Sequence, residues 1–233
     1  MLTAVSSLLT THLQGRTPVN FRDFTPIANL VFDDQMFLMV GPNSKYKTMR
    51  QVVDFARANP KTITLGGIQL GSADSIACYV LEKAVGIKFN YVVFNGQGEL
   101  NAALMGGHVD LSFANPGEAL DLYRAGKVRV LGVFGQNRLE ATPEIPTMKE
   151  QGINVLHTMN RGIVAPLGVP EDARKTLEEA FFKYTKSESF KSYCKESIQT
   201  PAWMDGATFG KFLEEENTKY AAILTDMGLI KKK

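Results

Sequence analysis

The feature that most constrains this chain is a regular alternation between positions 36 and 134. "MFLMV" (36–40), "TITL" (62–65), "NYVVF" (90–94), "HVDLSF" (108–113) and "VRVLGVF" (128–134) read as short apolar strands. Between the first two, "KTMRQVVDFARANP" carries Thr48 as N-cap, Met49, Val52, Val53 and Ala56 at helical spacing, and Pro60 as a stop. After Gly71-Ser72 a second helical pattern puts Ile76, Tyr79, Val80 and the stem of Lys83 on one side and ends at Gly86. "NGQG" reads as a turn before the helix "ELNAALM", which Gly106-Gly107 closes. "NPGEALDLYRAG" has Asn115 as cap and Pro116 at the first helical position, where a missing N–H is tolerated. This pitch predicts an α/β unit with a largely parallel sheet, and ligands of such sheets sit beyond the carboxyl ends of the strands.

After Phe134 the texture changes. "GQNRLEATPEIPTMKEQG" reads as a surface connection with a short helix, and "INVLHTMNRGIVAPLGVP" as extended chain. Pro170 opens a long helix with Ala173, Leu177, Ala180, Phe181 and Tyr184 as its expected buried stripe, and two more helices finish a mostly helical end.

Composition narrows the classes. A chain of 233 residues, 44% hydrophobic and 21% charged, has the bulk for one large or two small domains. Its net charge of +2 offers nothing to a polyanion, and the Lys231-Lys232-Lys233 run reads as a solvated end rather than a nucleic-acid patch. No apolar stretch reaches bilayer-spanning length. Cys78 and Cys194 lack metal-ligand spacing and read as buried thiols, with no metal or other cofactor implied. "MLTAVSSLLTTHLQGRTP" has no Lys or Arg before Arg16, so it lacks the charged start of a secretory signal.

Catalytic signatures are thin. His108 and Asp110 share one face of a strand start, a pattern more common in structural histidines than in catalysts. There is no nucleophile elbow or Walker-type loop, and "GGIQLGS" has the wrong glycine spacing for a dinucleotide fingerprint.

That glycine-rich stretch opens two readings. Helix N-termini carry unsatisfied N–H groups and the positive end of the macrodipole, so the turn could seat an anion. Equally it could be a tight strand-to-helix turn with Ser72 as N-cap and Asp74 favourable in the first turn, which the residues by themselves favour.

The order "RDFTPIANL", "ARANP", the Gly-Ser turn, "VVFNGQGELNAALMGGHVDLSF", "AGKVRVLGV", "PEIPTMKEQG" and "RGIVAPLGVP" resembles the substrate receptors of tripartite tricarboxylate transporters, also called the Bug family, from about Thr17 to about Gly228. The resemblance implies a type II periplasmic-binding-protein fold whose two α/β lobes close over an anionic solute. Lobe 1 would be residues 1–37 with 160–233 and lobe 2 residues 38–159, with "MFLMV" and "RGIVAP" as hinge-crossing segments. It also implies a small organic acid as ligand, a periplasmic location, membrane transporter subunits as partners and no catalysis.

Carried onto this chain, the resemblance makes Gly71, Ser72 and Ala73 helix N-terminal donors of the cleft and matches Asn95, Gly96 and Gln97 to a second cleft loop. There "VVFNG" stands where the family has a "VPYKG"-type strand, so a Lys and a Tyr hydroxyl are replaced by Asn95 and Phe94. Asn115 would add an amide or serve only as a cap. Arg161 would pair bidentately with a ligand carboxylate or be tied to an Asp or Glu of the opposite lobe. The strand, anion-binding loop, helix and second strand that open family members have no counterpart here, roughly 60 residues on the usual unit size. First-lobe truncation and an open sheet edge prone to self-association are therefore expected. Two other classes share the scaffold: the effector domain of a regulator, disfavoured by the lack of a helix-turn-helix, and an enzyme.

Overall fold

The computed structural model describes residues 2–33 and 36–230. Its elements are β1 (Leu2–Val5), α1 (Ser6–Leu13), β2 (Phe24–Asp33), β3 (Phe37–Val40), α2 (Met49–Ala58), β4 (Thr64–Gly67), α3 (Ala73–Val85), β5 (Asn90–Val93), α4 (Gln97–Met105), β6 (Leu111–Ala114), α5 (Pro116–Arg124), β7 (Arg129–Val133), β8 (Met159–Pro166), α6 (Glu171–Thr185), α7 (Glu188–Ser197), β9 (Thr200–Asp205) and α8 (Gly206–Asp226). The chain divides into two compact units, Met1–Asp33 with Met159–Lys233, and Asp34–Thr158. "MFLMV" lies wholly in the second and "RGIVAP" wholly in the first. Among the described residues no helix is long and apolar enough to cross a membrane.

The Asp34–Thr158 unit holds a five-stranded sheet in the order β5-β4-β6-β3-β7. β4 pairs in parallel with β5 and β6, but β3 runs antiparallel to both β6 and β7. The expectation of a largely parallel sheet is corrected at this strand. Helix α2 follows β3 and leads into β4, which runs the opposite way, so this connection is not a parallel crossover. The core is Phe37, Met39, Leu100, Leu104, Val133 and their neighbours, fully or nearly fully buried.

Local chemistry explains the helices of this unit. Thr48 caps α2 through its hydroxyl, which accepts the Gln51 N–H at 3.3 Å, and the α2 stripe of Met49, Val52, Val53 and Ala56 is buried. Gly86 ends α3 in the left-handed conformation, with φ of 67°. The buried face of α3 is Ile76, Ala77, Cys78 and Leu81, with Tyr79 and Val80 only half-buried, so the expected face is rotated. Tyr79 instead lies beneath the ammonium groups of Lys83 and Lys88, at 5.5 and 5.9 Å from its ring centre.

The Met1–Asp33 and Met159–Lys233 unit holds an antiparallel sheet in the order β1-β8-β2-β9. Pro26 and Asn29 sit at irregularities of β2, where the ladder skips a residue against β8. Helix α8 buries Phe209, Leu213, Tyr220 and Leu224. Gly162 on β8 is glycine because a Cβ there would overlap the Phe209 ring. The mostly helical end expected from the sequence thus contains a strand, β9. α6 has no fully buried residue: Ala173, Leu177 and Phe181 are half-buried while Ala180 and Tyr184 are exposed. It packs on β2 and the outer strand β9, and an outer strand covers only part of a helix face. Phe182 finds a partner there in Trp203, ring centres 5.2 Å apart. Cys78 and Cys194 are buried free thiols in α3 and α7, and burial pushes both thiols up from their ordinary range.

Candidate functional site

Because β4, β5 and β6 are parallel neighbours, the loops that follow them emerge along one edge of one sheet, and each runs into a helix. The starts of α3, α4 and α5 therefore lie side by side. This edge gathers Gly71, Ser72, Ala73, Asn95, Gly96, Gln97 and Asn115. Arg161 is on β8, in the other unit. Cavities of about 370, 380 and 390 Å³ in the Asp34–Thr158 unit are lined by residues such as Pro60 and Lys88, Gly41 and Asp110, and Pro42 and Arg129. All three lie at the amino ends of these strands, away from the loop edge.

The paired glycines of "GGIQLGS" are not the turn but the last two residues of β4. Neighbours on a strand point to opposite faces. A Cβ at Gly66 would overlap Leu100 of α4 and come within 3.1 Å of Phe94, and one at Gly67 would overlap the Tyr91 hydroxyl. The glycines let side chains from α4 and β5 close over the strand end. The turn itself is made by Gly71, whose φ of 80° suits glycine.

The three helix starts differ in what they leave for a ligand. At α3, the Gly71 N–H donates to Ser75 Oγ at 2.7 Å and the Ser72 N–H to Gln69 O at 3.2 Å. Ser72 is an N-cap, its Oγ facing Ser75 N at 3.5 Å. Of the three expected donors, Ala73 alone keeps an N–H without an acceptor among the described residues. At α4, Gly96 is the N-cap and has no side chain to close the helix start, so the first-turn N–H groups stay open to an external acceptor. The helix begins at Gln97, inside the stretch expected to be a turn. The Gln97 amide points inward, donating to Asn101 Oδ1 at 2.9 Å and to Phe113 O at 3.2 Å, so what this residue offers the edge is backbone. Asn95 donates both its N–H and its side-chain amide to Glu99 Oε2, at 3.2 and 3.1 Å. At α5, Pro116 has no N–H, and the Asn115 N–H donates to Glu118 Oε2 at 3.2 Å, a reciprocal cap.

Each of these helices carries an acid in its first turn: Asp74, Glu99 and Glu118. Arg138, in the loop after β7, is tied to Glu150 with Nε–Oε2 2.9 Å. The edge thus presents backbone dipoles and amides rather than charged cations. Burial drives the Asp74 carboxyl up to about 6, with the Ile68 hydrogen bond opposing and the Glu118 charge adding.

Arg161 pairs with Asp33, the last residue of the neighbouring strand β2, Nε donating to Oδ2 at 2.6 Å, so its acidic partner comes from its own unit and not from the opposite lobe as expected. The Asp33 side chain is 8% exposed and the Arg161 side chain 37% exposed, so part of the Arg stays in water. Nothing local in the sequence announced this pair, which joins positions 128 residues apart. Glu99 was legible in principle, since an acid at the third helical position after a cap is a known pattern. The H-x-D pair is structural at its acid: Asp110 Oδ2 accepts both the N–H and the hydroxyl of Thr64, each at 2.8 Å, while His108 is exposed.

Two α/β units, one with helix starts ranged along a sheet edge, give a fold shared with solved periplasmic binding proteins. Solved members of that class superpose closely. A protein of R. palustris solved with adipate matches with a TM-score of 0.83 at 20% identity, over 97% of this chain and 77% of that one. MatC of Rhodopseudomonas palustris, solved with malate, matches with a TM-score of 0.77 at 19% identity, over 95% and 78%. The chain belongs to the tripartite tricarboxylate transporter receptor family, whose sequence profile matches residues 2–229. It is 31% identical over 196 residues to the UPF0065 protein of the gbd 5' region of Cupriavidus necator, which covers 83% of this chain and 59% of that protein. The chain therefore spans about three fifths of the length of that relative.

Proposed function

We propose that this protein is a non-catalytic solute receptor that captures a small carboxylate at the loop edge formed by the starts of α3, α4 and α5. The two compact units serve as its lobes, and the loaded receptor delivers its acid to membrane subunits of a tripartite tricarboxylate transporter in the periplasm. The observation that carries the reading is the uncapped start of α4 at Gly96 beside the Ala73 N–H of α3. A carboxylate there meets backbone donors and two helix dipoles without displacing an internal partner. Ser72, Asn95, Gly96, Gln97 and Asn115 shape this seat, and the water-facing side of Arg161, on the other unit, is a separate candidate for a carboxylate. The solved relatives named for adipate and malate support a dicarboxylate as the first class to try.

A thermal melt against malate, adipate, succinate, citrate, aspartate, glutamate and aromatic acids tests this. A ligand of the native state stabilises it by RT ln(1 + [L]/Kd), about 2.7 kcal/mol at a hundredfold excess over Kd. A clear upward shift with one acid is expected. A cooperative melt that no acid moves overturns the reading for this chain.

A further inference from the structure

The net charge of +2 hides an uneven distribution within the Asp34–Thr158 unit. Its loop edge carries the acids Asp74, Glu99 and Glu118, whereas the opposite end of the same sheet carries cations. Because β3 runs antiparallel to β6 and β7, the loop after β3 and the start of β7 emerge where β4, β5 and β6 begin. Contacts fix the juxtaposition. Arg129 Nη1 donates to Tyr46 O at 3.4 Å, Arg57 Nη2 donates to Val85 O at 3.2 Å, and one cavity brings Lys45 beside Gly106 and Asp110. Arg57, Lys83 and Arg124 stand in last helical turns, where a cation offsets the negative end of the macrodipole, so helix stability accounts for them. It does not account for the rest. Exposed Lys45 and Lys47 precede α2, where a cation meets the positive end of a dipole; exposed Lys61 and Lys127 lie in loops, and half-buried Arg129 opens β7. The acids of this end are mostly engaged: Glu82 with Lys88, Asp110 with Thr64, and Asp54 with Arg50 and Arg57 at 3.6 and 4.0 Å. Among the described residues, Asp121 near the end of α5 is the exposed acid left to oppose the cations.

We propose that this basic end is an interaction surface for the anionic headgroups of a lipid bilayer. The chemistry of the face decides between lipid and an acidic protein. Protein interfaces are built on apolar and aromatic anchors and are depleted in lysine. Among the described residues the loops of this end carry no exposed large apolar side chain, and their exposed cations are mostly lysines, compact point charges that suit phosphates met singly. Five strands about 4.8 Å apart spread these charges over roughly 20 Å, wide enough to meet several headgroups at once. With nothing apolar to insert, the attraction is Coulombic and acts within a Debye length of the surface, about 10 Å at 0.1 M salt. The face lies at the amino ends of the strands, so adsorption leaves the loop edge of this unit uncovered. The proposal does not depend on the receptor reading.

Sedimentation of the whole chain with vesicles tests this. At low salt the protein should pellet with vesicles of equal parts phosphatidylglycerol and phosphatidylcholine and stay in solution with phosphatidylcholine alone. It should come off the anionic vesicles as salt approaches about 1 M, where the Debye length is about 3 Å. A triple variant, Lys61→Gln with Arg124→Gln and Lys127→Gln, removes exposed cations of the face. Its partition coefficient should fall about a hundredfold, at about fivefold per charge near the surface. The matched variant Lys183→Gln with Lys195→Gln and Lys211→Gln changes net charge equally on the other unit and should bind as the parent does. No pelleting at low salt, equal pelleting with the zwitterionic vesicles, or equal losses in the two triples overturns the proposal. Retention by soluble polyglutamate without retention by vesicles overturns it too, in favour of an acidic protein. Should the first triple not fold, lysine acetylation of the unaltered chain on anionic vesicles decides: Lys61 and Lys127 should be shielded relative to Lys183 and Lys211, and uniform labelling overturns the proposal equally. No carboxylate solute enters, so failure here leaves carboxylate capture standing, and failure of every acid in the melt leaves the lipid surface standing.

Discussion

Gly67 on β4 and Tyr91 on β5 are interlocked: the tyrosine hydroxyl occupies the space that any side chain at position 67 would need. The ring is rigid and partly buried, so the overlap cannot be relieved by a small rotation. Gly67→Ala should destabilise the protein by about 1–3 kcal/mol, the usual cost of overpacking. Gly98, in the first turn of α4, is the control, because a Cβ there meets nothing within 4 Å. Gly98→Ala should stabilise by about 0.5–1 kcal/mol through helix propensity. Urea unfolding of both variants checks the pair, and a neutral Gly67→Ala would refute the packing account.

Asp33 and Arg161 make a second prediction. Arg161→Met leaves a carboxylate that is 8% exposed without its cation, and should cost about 1.5–3 kcal/mol in urea unfolding. Adding Asp33→Asn should recover most of that loss, since the stranded charge is then gone. The double variant also separates the pairing of Arg161 with Asp33 from its proposed contact with a carboxylate. If the guanidinium meets the solute, the double variant melts normally but loses most of its shift with the bound acid.

Asp74 gives stability a definite pH dependence. Its carboxyl is near 6 when folded against the model-peptide value of 3.8, so the folded state binds more protons between those two values. Stability should therefore fall as pH rises through this window and stay low above it. The span corresponds to roughly 2–3 kcal/mol at most. Asp74→Asn removes the buried charge and should raise the melting temperature at pH 7.5 while changing it little below about pH 3.5, where the carboxyl is largely neutral folded and unfolded. A variant less stable than the parent at both pH values would contradict the desolvation cause.

Asn95→Lys restores a cation at the loop edge. Asn95 is exposed and held by Glu99, so the new ammonium remains near the start of α4. A gain of about 0.5–1 kcal/mol in carboxylate binding is expected, an exposed-charge effect that fades with added salt. Calorimetric titration at low and high ionic strength reads it. Equal affinity at both would place Asn95 away from the ligand.

Much of the α/β unit was legible because its signals are local. Thr48, Gly86 and Pro116 act through the backbone within a few residues of themselves, and the α2 stripe follows from a period of 3.6. The α6 stripe was not, because periodicity shows which residues share a face but not how much of that face a neighbouring strand covers. β9 escaped for a related reason: "TPAWMD" is an outer strand whose burial does not alternate, and only pairing with β2 makes it a strand.

The sequence by itself determined that strands and helices alternate, where three helices begin, and which residues cap them, since these are matters of dihedral preference and nearest neighbours. Tertiary structure alone decided that Asp33 holds Arg161, that Tyr91 stands over Gly67, and that Ile68 is clamped by Asp74. It also set β3 against its neighbours and left the start of α4 open while closing that of α5. Each of these depends on which strand lies beside which. That is a property of the assembled sheet, and chain-local preference carries no information about it.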